Sequence, residues 1–174
     1  KMESGELTLY GDIGSQPTRS VMALLKLGKI PHKFVRLDIF KMEHKAEWYT
    51  KINPRGTMPF ITHGDLKLGE SNAILKYLAG TYPSVPATMW PADLQQRAYC
   101  DSMLEWVQAH FRPETIGPVR LKLIAFATKT PTDPDLAAGL DSQREPIMQT
   151  LEKLQSKHPG GFIAGEHLTL PDLQ

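Results

Sequence analysis

The stretch from Asn53 to Tyr82, NPRGTMPFITHGDLKLGESNAILKYLAGTY, decides the reading of this chain. Met58 to Thr62 has strand composition with a proline near its start, His63-Gly64-Asp65 is a tight turn, and Leu66 to Leu68 returns as a short strand. Ile74, Leu75 and Leu78 then take up helical spacing. A proline cannot donate to a sheet ladder, so Pro59 marks either an edge strand or a bend at the strand start. A cis Met58–Pro59 bond would turn the Met58 backbone outward, leaving its N–H and C=O to pair with something extended. Ser71 reads as the N-cap of the helix, whose free N–H groups and positive dipole end suit a small anion such as an amino-acid carboxylate. A plain capped helix accounts for Ser71 equally well. Glu70 beside it could take an ammonium group, so hairpin and helix together could hold one end of a small peptide and its middle.

Upstream, Leu7 to Tyr10 alternates as a short strand, and Gly11-Asp12-Ile13-Gly14 is a loop. Ser15-Gln16-Pro17 opens a helix that carries Val21, Met22, Leu24 and Leu25 to a stop at Gly28. Lys33 to Ile39 alternates again, with Val35, Leu37 and Ile39 on one face. Lys41 to Ile52 has a weak helical pattern, with Ala46, Trp48 and Tyr49 as its apolar contacts. The order is therefore β-α-β-α-β-β-α, and the helix between the first two strands demands a parallel crossover. That is a thioredoxin-like α/β order.

Pro83 and Pro86 break the pattern, and the chain beyond them is helical. Ala92 to Phe111 reads as one long helix, with Leu94, Ala98, Asp101, Leu104 and Gln108 on a stripe flanked by Cys100, Met103, Trp106 and Val107. A loop at 130–134 ends in an Asp133 cap and Pro134. Leu136, Leu140, Ile147, Leu151 and Leu154 trace a second helix that Pro146 should kink. Thr169 and Asp172 open a further helix in the manner of a capping box, and the sequence stops there. The expected organisation is an α/β domain over residues 1–82, a linker over 83–90, and an all-α domain over 91–174 that reads as truncated.

Twenty basic against nineteen acidic residues imply neither nucleic acid nor an anionic membrane as partner. The one cysteine, Cys100, allows no internal disulfide and fits a reducing compartment. No apolar run approaches the ~20 residues of a membrane span, so a cytoplasmic protein is expected. His63, His110, His158 and His167 lack metal-ligand spacing, and no metal is expected.

SQPTRSV at 15–21, NPRGTMPFI at 53–61, GESNAILKYLAGTYP at 69–83 and WPADLQQRAYCDSMLEW at 90–106 act in combination. With their spacing they resemble the theta class of the cytosolic glutathione transferases, over nearly the whole chain. The resemblance implies a thioredoxin-like glutathione-binding domain, an all-helical domain after it, a homodimer, and conjugation of glutathione to electrophilic, mostly apolar compounds in detoxification. Ser15 admits two readings. As a common N-cap residue it caps the first helix; as the counterpart of the theta-class serine it donates to the glutathione sulfur and favours the thiolate. Tyr10, the rival from classes that use tyrosine, lies five residues too early for this pattern.

His44 and Lys45 read as a solvated polar face, and the resemblance sends them to the glycine carboxylate of glutathione. Thr57 and Met58 correspond to the pair before the turn-forming proline, with Thr57 where a lysine is common. Asp101 reads as a salt-bridge partner of Arg97 or Arg112, or as part of a wide polar face. The resemblance makes it the residue that crosses a dimer interface to the ammonium of glutathione held by the other subunit. The competing function is a transferase fold kept as a non-catalytic ligand-binding or partner-docking module. A thiol–disulfide oxidoreductase would need a cysteine where Ser15 stands.

Overall fold

Alternation of apolar and polar residues makes Leu7–Gly11 a strand, β1. At Gly11 it passes helix α1 (Gln16–Leu27) so closely that a Cβ would stand 2.5 Å from Thr18 Cγ2. α1 begins after Ser15, has Pro17 in its first turn, where a missing N–H costs nothing, and stops at Gly28. It is the crossover to β2 (Lys33–Arg36), which lies parallel to β1. The alternating stretch thus leaves the ladder at Arg36 rather than Ile39, and only the Leu37 N–H carries on, to the Gly11 C=O at 2.8 Å.

A single 3₁₀ turn at Glu43–Lys45 and a one-turn helix α2 (Glu47–Thr50) replace the weak helix expected over 41–52. β3 (Phe60–His63) and β4 (Leu66–Gly69) form a hairpin about Gly64, whose φ of 57° favours glycine, and α3 (Ser71–Thr81) comes next. The sheet order is β2-β1-β3-β4, with β3 antiparallel to both neighbours. This is the thioredoxin-like arrangement.

The computed structural model describes residues 5–116, 119, 125, 129–131 and 134–174. They fall into two compact units, Lys1–Ala92 with Leu173–Gln174, and Asp93–Asp172. In the first, period-two alternation sorts the sheet into two faces. Leu9 and Ile61 are fully buried on the face that α1 and α3 cover, and His63 on that face meets Tyr77 of α3. Tyr10 and Phe60 point the other way, into a cluster with Leu37 and the buried Tyr49 of α2. β3 is an interior strand, which corrects the edge-strand reading. Pro59 stands just before the first ladder residue, so its missing donor breaks no pairing. The Met58–Pro59 peptide is cis.

The second unit is helical. α4 (Leu94–Trp106) is capped by Asp93, which accepts from the Gln96 N–H at 2.9 Å. Cys100, Met103, Leu104 and Val107 form the buried line, spaced i, i+3, i+4, i+7. Leu94, expected on a buried stripe, is 77% exposed in the first turn. The α geometry gives way at Val107–Phe111 to a widened π turn before helical backbone resumes at 112–116. α5 (Pro134–Gln155) continues through Pro146; the Asp133 cap and the side chains of Leu136 and Leu140 lie outside the described residues. Asp172 accepts from both the N–H and the hydroxyl of Thr169, at 2.8 and 2.7 Å, and returns its own N–H to the Thr169 C=O at 3.1 Å. The element it opens is a 3₁₀ turn, Leu170–Leu173. No helix among the described residues is long and apolar enough to cross a membrane.

Candidate functional site

Strand register gathers most of the candidate residues at one edge of the sheet. Tyr10 pairs with Phe60 and Phe60 with Gly69, so three segments leave the sheet side by side: 11–15, 57–59 and 70–71. Each ends at a chemically distinct group: the Ser15 hydroxyl, the Met58 backbone, and the N-terminus of α3.

Ser15 is 9% exposed and is the N-cap residue of α1, yet its side chain makes no capping hydrogen bond. Its backbone does the local work, with N–H donated to the Asp12 C=O at 3.0 Å and C=O accepting from Arg19 at 3.1 Å. The loop before it is held from both sides. Asp12, itself buried, accepts from the Gly14 N–H at 2.7 Å and from Arg36 Nε at 3.1 Å, while Arg19 donates to the Ile13 C=O at 2.8 Å. The hydroxyl is therefore left over at a helix N-terminus, where partial positive charge favours an anion.

Met58 packs against the Leu37–Tyr49–Phe60 cluster, and its own N–H and C=O take no hydrogen bond among the described residues. The residue before it is tied down. Thr57 C=O accepts from the Tyr49 hydroxyl at 2.6 Å and from Asn53 Nδ2 at 2.8 Å. Burial raises the Tyr49 phenol above its ordinary value, keeping it the donor. Lys45 donates to the Gly56 C=O at 2.8 Å, which fixes the turn leading into Thr57. His44, in the 3₁₀ turn, has its Nδ1 enclosed and without a hydrogen-bond partner among the described residues. Burial, and then the Lys45 charge, hold its imidazolium below the ordinary histidine range, so the ring is neutral near pH 7.

The N-cap of α3 is Glu70, not Ser71; Ser71 is the first residue of the helix. Strand β4 runs on to Gly69, and Glu70 takes up φ 68°, ψ 115°, which moves the cap one residue earlier than the sequence pattern suggests. Glu70 extends to Arg55 Nη1 at 3.1 Å, both side chains being largely exposed. Ser71 is 3% exposed, and its Oγ accepts from Gln174 Nε2 at 3.1 Å. Gln174 also accepts, through its C=O, from Gln16 Nε2. One residue thus spans the first turns of α1 and α3.

The segment 9–86 matches the family model for the glutathione S-transferase N-terminal domain. The chain is 34% identical over 160 residues to glutathione S-transferase T2 of Arabidopsis thaliana, covering 92% of this chain and 27% of that protein. It is 34% identical over 170 residues to human glutathione S-transferase theta-1, covering 96% of this chain and 69% of that protein. The chain belongs to the glutathione S-transferase family. Among solved structures, human glutathione transferase theta-2, determined in complex with glutathione and an unknown ligand, superposes with a TM-score of 0.89 at 32% identity, covering 96% of this chain and 68% of that one.

Of the glutathione S-transferase residues expected from the sequence, Ser15, His44, Lys45, Thr57, Met58, Glu70 and Ser71 all lie in the first unit. Asp101 lies in the second, half-buried on α4 with its Oδ1 closed to solvent. Next to it the Cys100 thiol is held above its ordinary range, first by burial and then by the Asp172 and Asp101 charges, as befits a packing residue. Among the described residues no group of three or more His, Cys, Asp or Glu could hold a metal ion.

Three supports of the site were missed by sequence reasoning: the Asp12–Arg36 pair, the Tyr49–Asn53 clamp on Thr57, and Arg55 on Glu70. Only the clamp left a local trace, since Tyr49 and Asn53 are spaced i, i+4.

Proposed function

We propose that this chain carries the glutathione site of a theta-like glutathione transferase, with Ser15 stabilising the thiolate that attacks an electrophilic, mostly apolar substrate. One observation carries the reading. A nearly buried hydroxyl at a helix N-terminus, unused as a cap, stands at the same sheet edge as an unpaired backbone segment and a second helix N-terminus. The thiol proton leaves to solvent, the sulfur forms a bond to the electrophilic carbon, and the leaving group departs with its electron pair. Ser15 stays a hydrogen-bond donor throughout, since the nearby Asp12 carboxylate has both oxygens committed to Gly14 and Arg36 and does not act as its base.

The remaining roles follow the tripeptide along the edge. The Met58 backbone, unpaired among the described residues, pairs with the middle of glutathione; Thr57 flanks it. The N-terminus of α3 and Ser71 take the amino-acid carboxylate, and Glu70 the ammonium. His44, as a neutral N–H donor, and Lys45 face the glycine carboxylate. Asp101 reaches the ammonium from the partner subunit of a homodimer. Residues 1–82 are the glutathione-binding domain, 83–90 the linker, and 91–174 part of the helical domain. The protein works in the cytoplasm without a metal.

Ser15→Ala tests this. A hydrogen bond to a charged group is worth ~1.5–3 kcal/mol, so turnover should fall about ten- to hundred-fold, with glutathione affinity nearly intact. A capping role instead requires a loss of ~1 kcal/mol in stability with a normal rate per folded molecule. Normal turnover with a lowered melting temperature would return Ser15 to the role of a cap and leave the non-catalytic binding module as the better reading.

A further inference from the structure

The Asp12 carboxylate is an odd neighbour for a site built to favour a thiolate, because a like charge nearby opposes the anion. Its side chain is 5% exposed, and it lies three residues before Ser15. Its two oxygens are divided between two tasks. Oδ1 accepts the Gly14 N–H at 2.7 Å, and Oδ2 accepts Arg36 Nε at 3.1 Å. Gly14 fits closely over this bond, since a Cβ there would stand 3.1 Å from Oδ1. The Asp12 C=O in turn holds the Ser15 N–H at 3.0 Å. Asp12 therefore grips both peptides that precede the hydroxyl, while the hydroxyl itself is left without a capping bond.

Arg36 ends β2 on the strand parallel to β1, and its side chain is 63% exposed. Asp12 is the main reason its guanidinium is held above its ordinary value, with Asp38 and Glu43 adding to the effect. A guanidinium supplied from the neighbouring strand is more than the loop geometry needs, because the Gly14 bond requires an acceptor and not a charge pair.

We propose that Asp12 is a positioning residue for Ser15, fixing the Gly14–Ser15 backbone and hence the direction of the hydroxyl, and that Arg36 cancels the negative charge Asp12 would otherwise project toward the thiolate. This rests on the serine–thiolate reading above. It makes two separable demands. Losing the acceptor should matter only through Ser15, and losing Arg36 should matter only while the carboxylate is there.

Both demands are met or refused by steady-state kinetics on the full chain with glutathione and chlorodinitrobenzene. The variants are Asp12→Ala, Asp12→Asn, Arg36→Met, Ser15→Ala and the doubles. Asp12→Ala should lower kcat about ten-fold or more without raising the KM for glutathione. Combined with Ser15→Ala it should cost nothing further, because the two act as one unit. Asp12→Asn keeps an acceptor and should recover most of the rate. Arg36→Met should lower kcat in the wild-type background and leave Asp12→Asn unaffected. If Asp12→Ala does not fold, Asp12→Ser, whose shorter hydroxyl holds the Gly14 N–H more weakly, takes its place for the first demand, and the Asp12→Asn and Arg36→Met pair tests the second. Full additivity with Ser15→Ala, or an Arg36→Met loss equal in both backgrounds, overturns the proposal. Full activity in Ser15→Ala overturns the serine reading itself, and this proposal with it.

Discussion

Glu70 shows most clearly how single residues at this site carry competing demands. Its φ of 68° is uncommon for a residue with a side chain, and such conformations cost ~1–3 kcal/mol where they persist. The ion pair with Arg55 is largely exposed and returns ~0–1 kcal/mol at most. Stability alone would favour glycine here. On the proposed reading, in which Glu70 takes the ammonium of glutathione, Glu70→Gly should therefore hold or raise the melting temperature while weakening glutathione binding. A fall in melting temperature with unchanged affinity would remove Glu70 from the binding site and make its ion pair structural. The sequence pattern at this point misplaced the cap by one residue. It shows Ser71 ahead of an apolar run but cannot show that β4 extends through Gly69 and that Glu70 turns the chain.

At the scale of elements, the short α2 matters through one side chain. Tyr49 is fully buried, fills the cluster with Leu37 and Phe60, and donates to the Thr57 C=O at 2.6 Å. Tyr49→Phe keeps the packing and deletes the donor, so it should cost about 1 kcal/mol in stability. The native phenol is raised by burial, so its contribution is fully present below the ordinary tyrosine value of ~10 and is lost as pH rises through the folded value. The stability gap between wild type and Tyr49→Phe, followed by denaturant unfolding, should thus narrow on the alkaline side. A gap that widens with pH would mean that the folded state favours the phenolate, which contradicts its role as donor to Thr57.

Element order was readable from the sequence because strand alternation, the Ser-Gln-Pro start and the Gly28 stop are local signals. Long-range facts were not. That β3 lies inside the sheet, that Cys100 rather than Leu94 begins the buried line of α4, and that Val107–Phe111 widens into a π turn all depend on what packs where. The Asp12–Arg36 pair spans 24 residues, and no periodicity encodes it.

For the molecule as a whole, the first unit is assembled so that β1, β3 and β4 bring three chain segments to one edge. Each offers a different piece of what an anionic tripeptide requires: a hydroxyl with a helix dipole, an unpaired backbone, and a second helix N-terminus. The chain spans 27% of the length of the Arabidopsis relative and 69% of the human one. The thiolate is the point on which everything else turns, and it absorbs in the ultraviolet. Titrating the bound glutathione thiol by that absorbance, in the full chain and in Ser15→Ala, reads Ser15's contribution directly. The bound thiol should titrate well below the ~8.5 of a free thiol in the wild type and return toward it in the variant. Equal values in the two proteins would contradict a serine-stabilised thiolate.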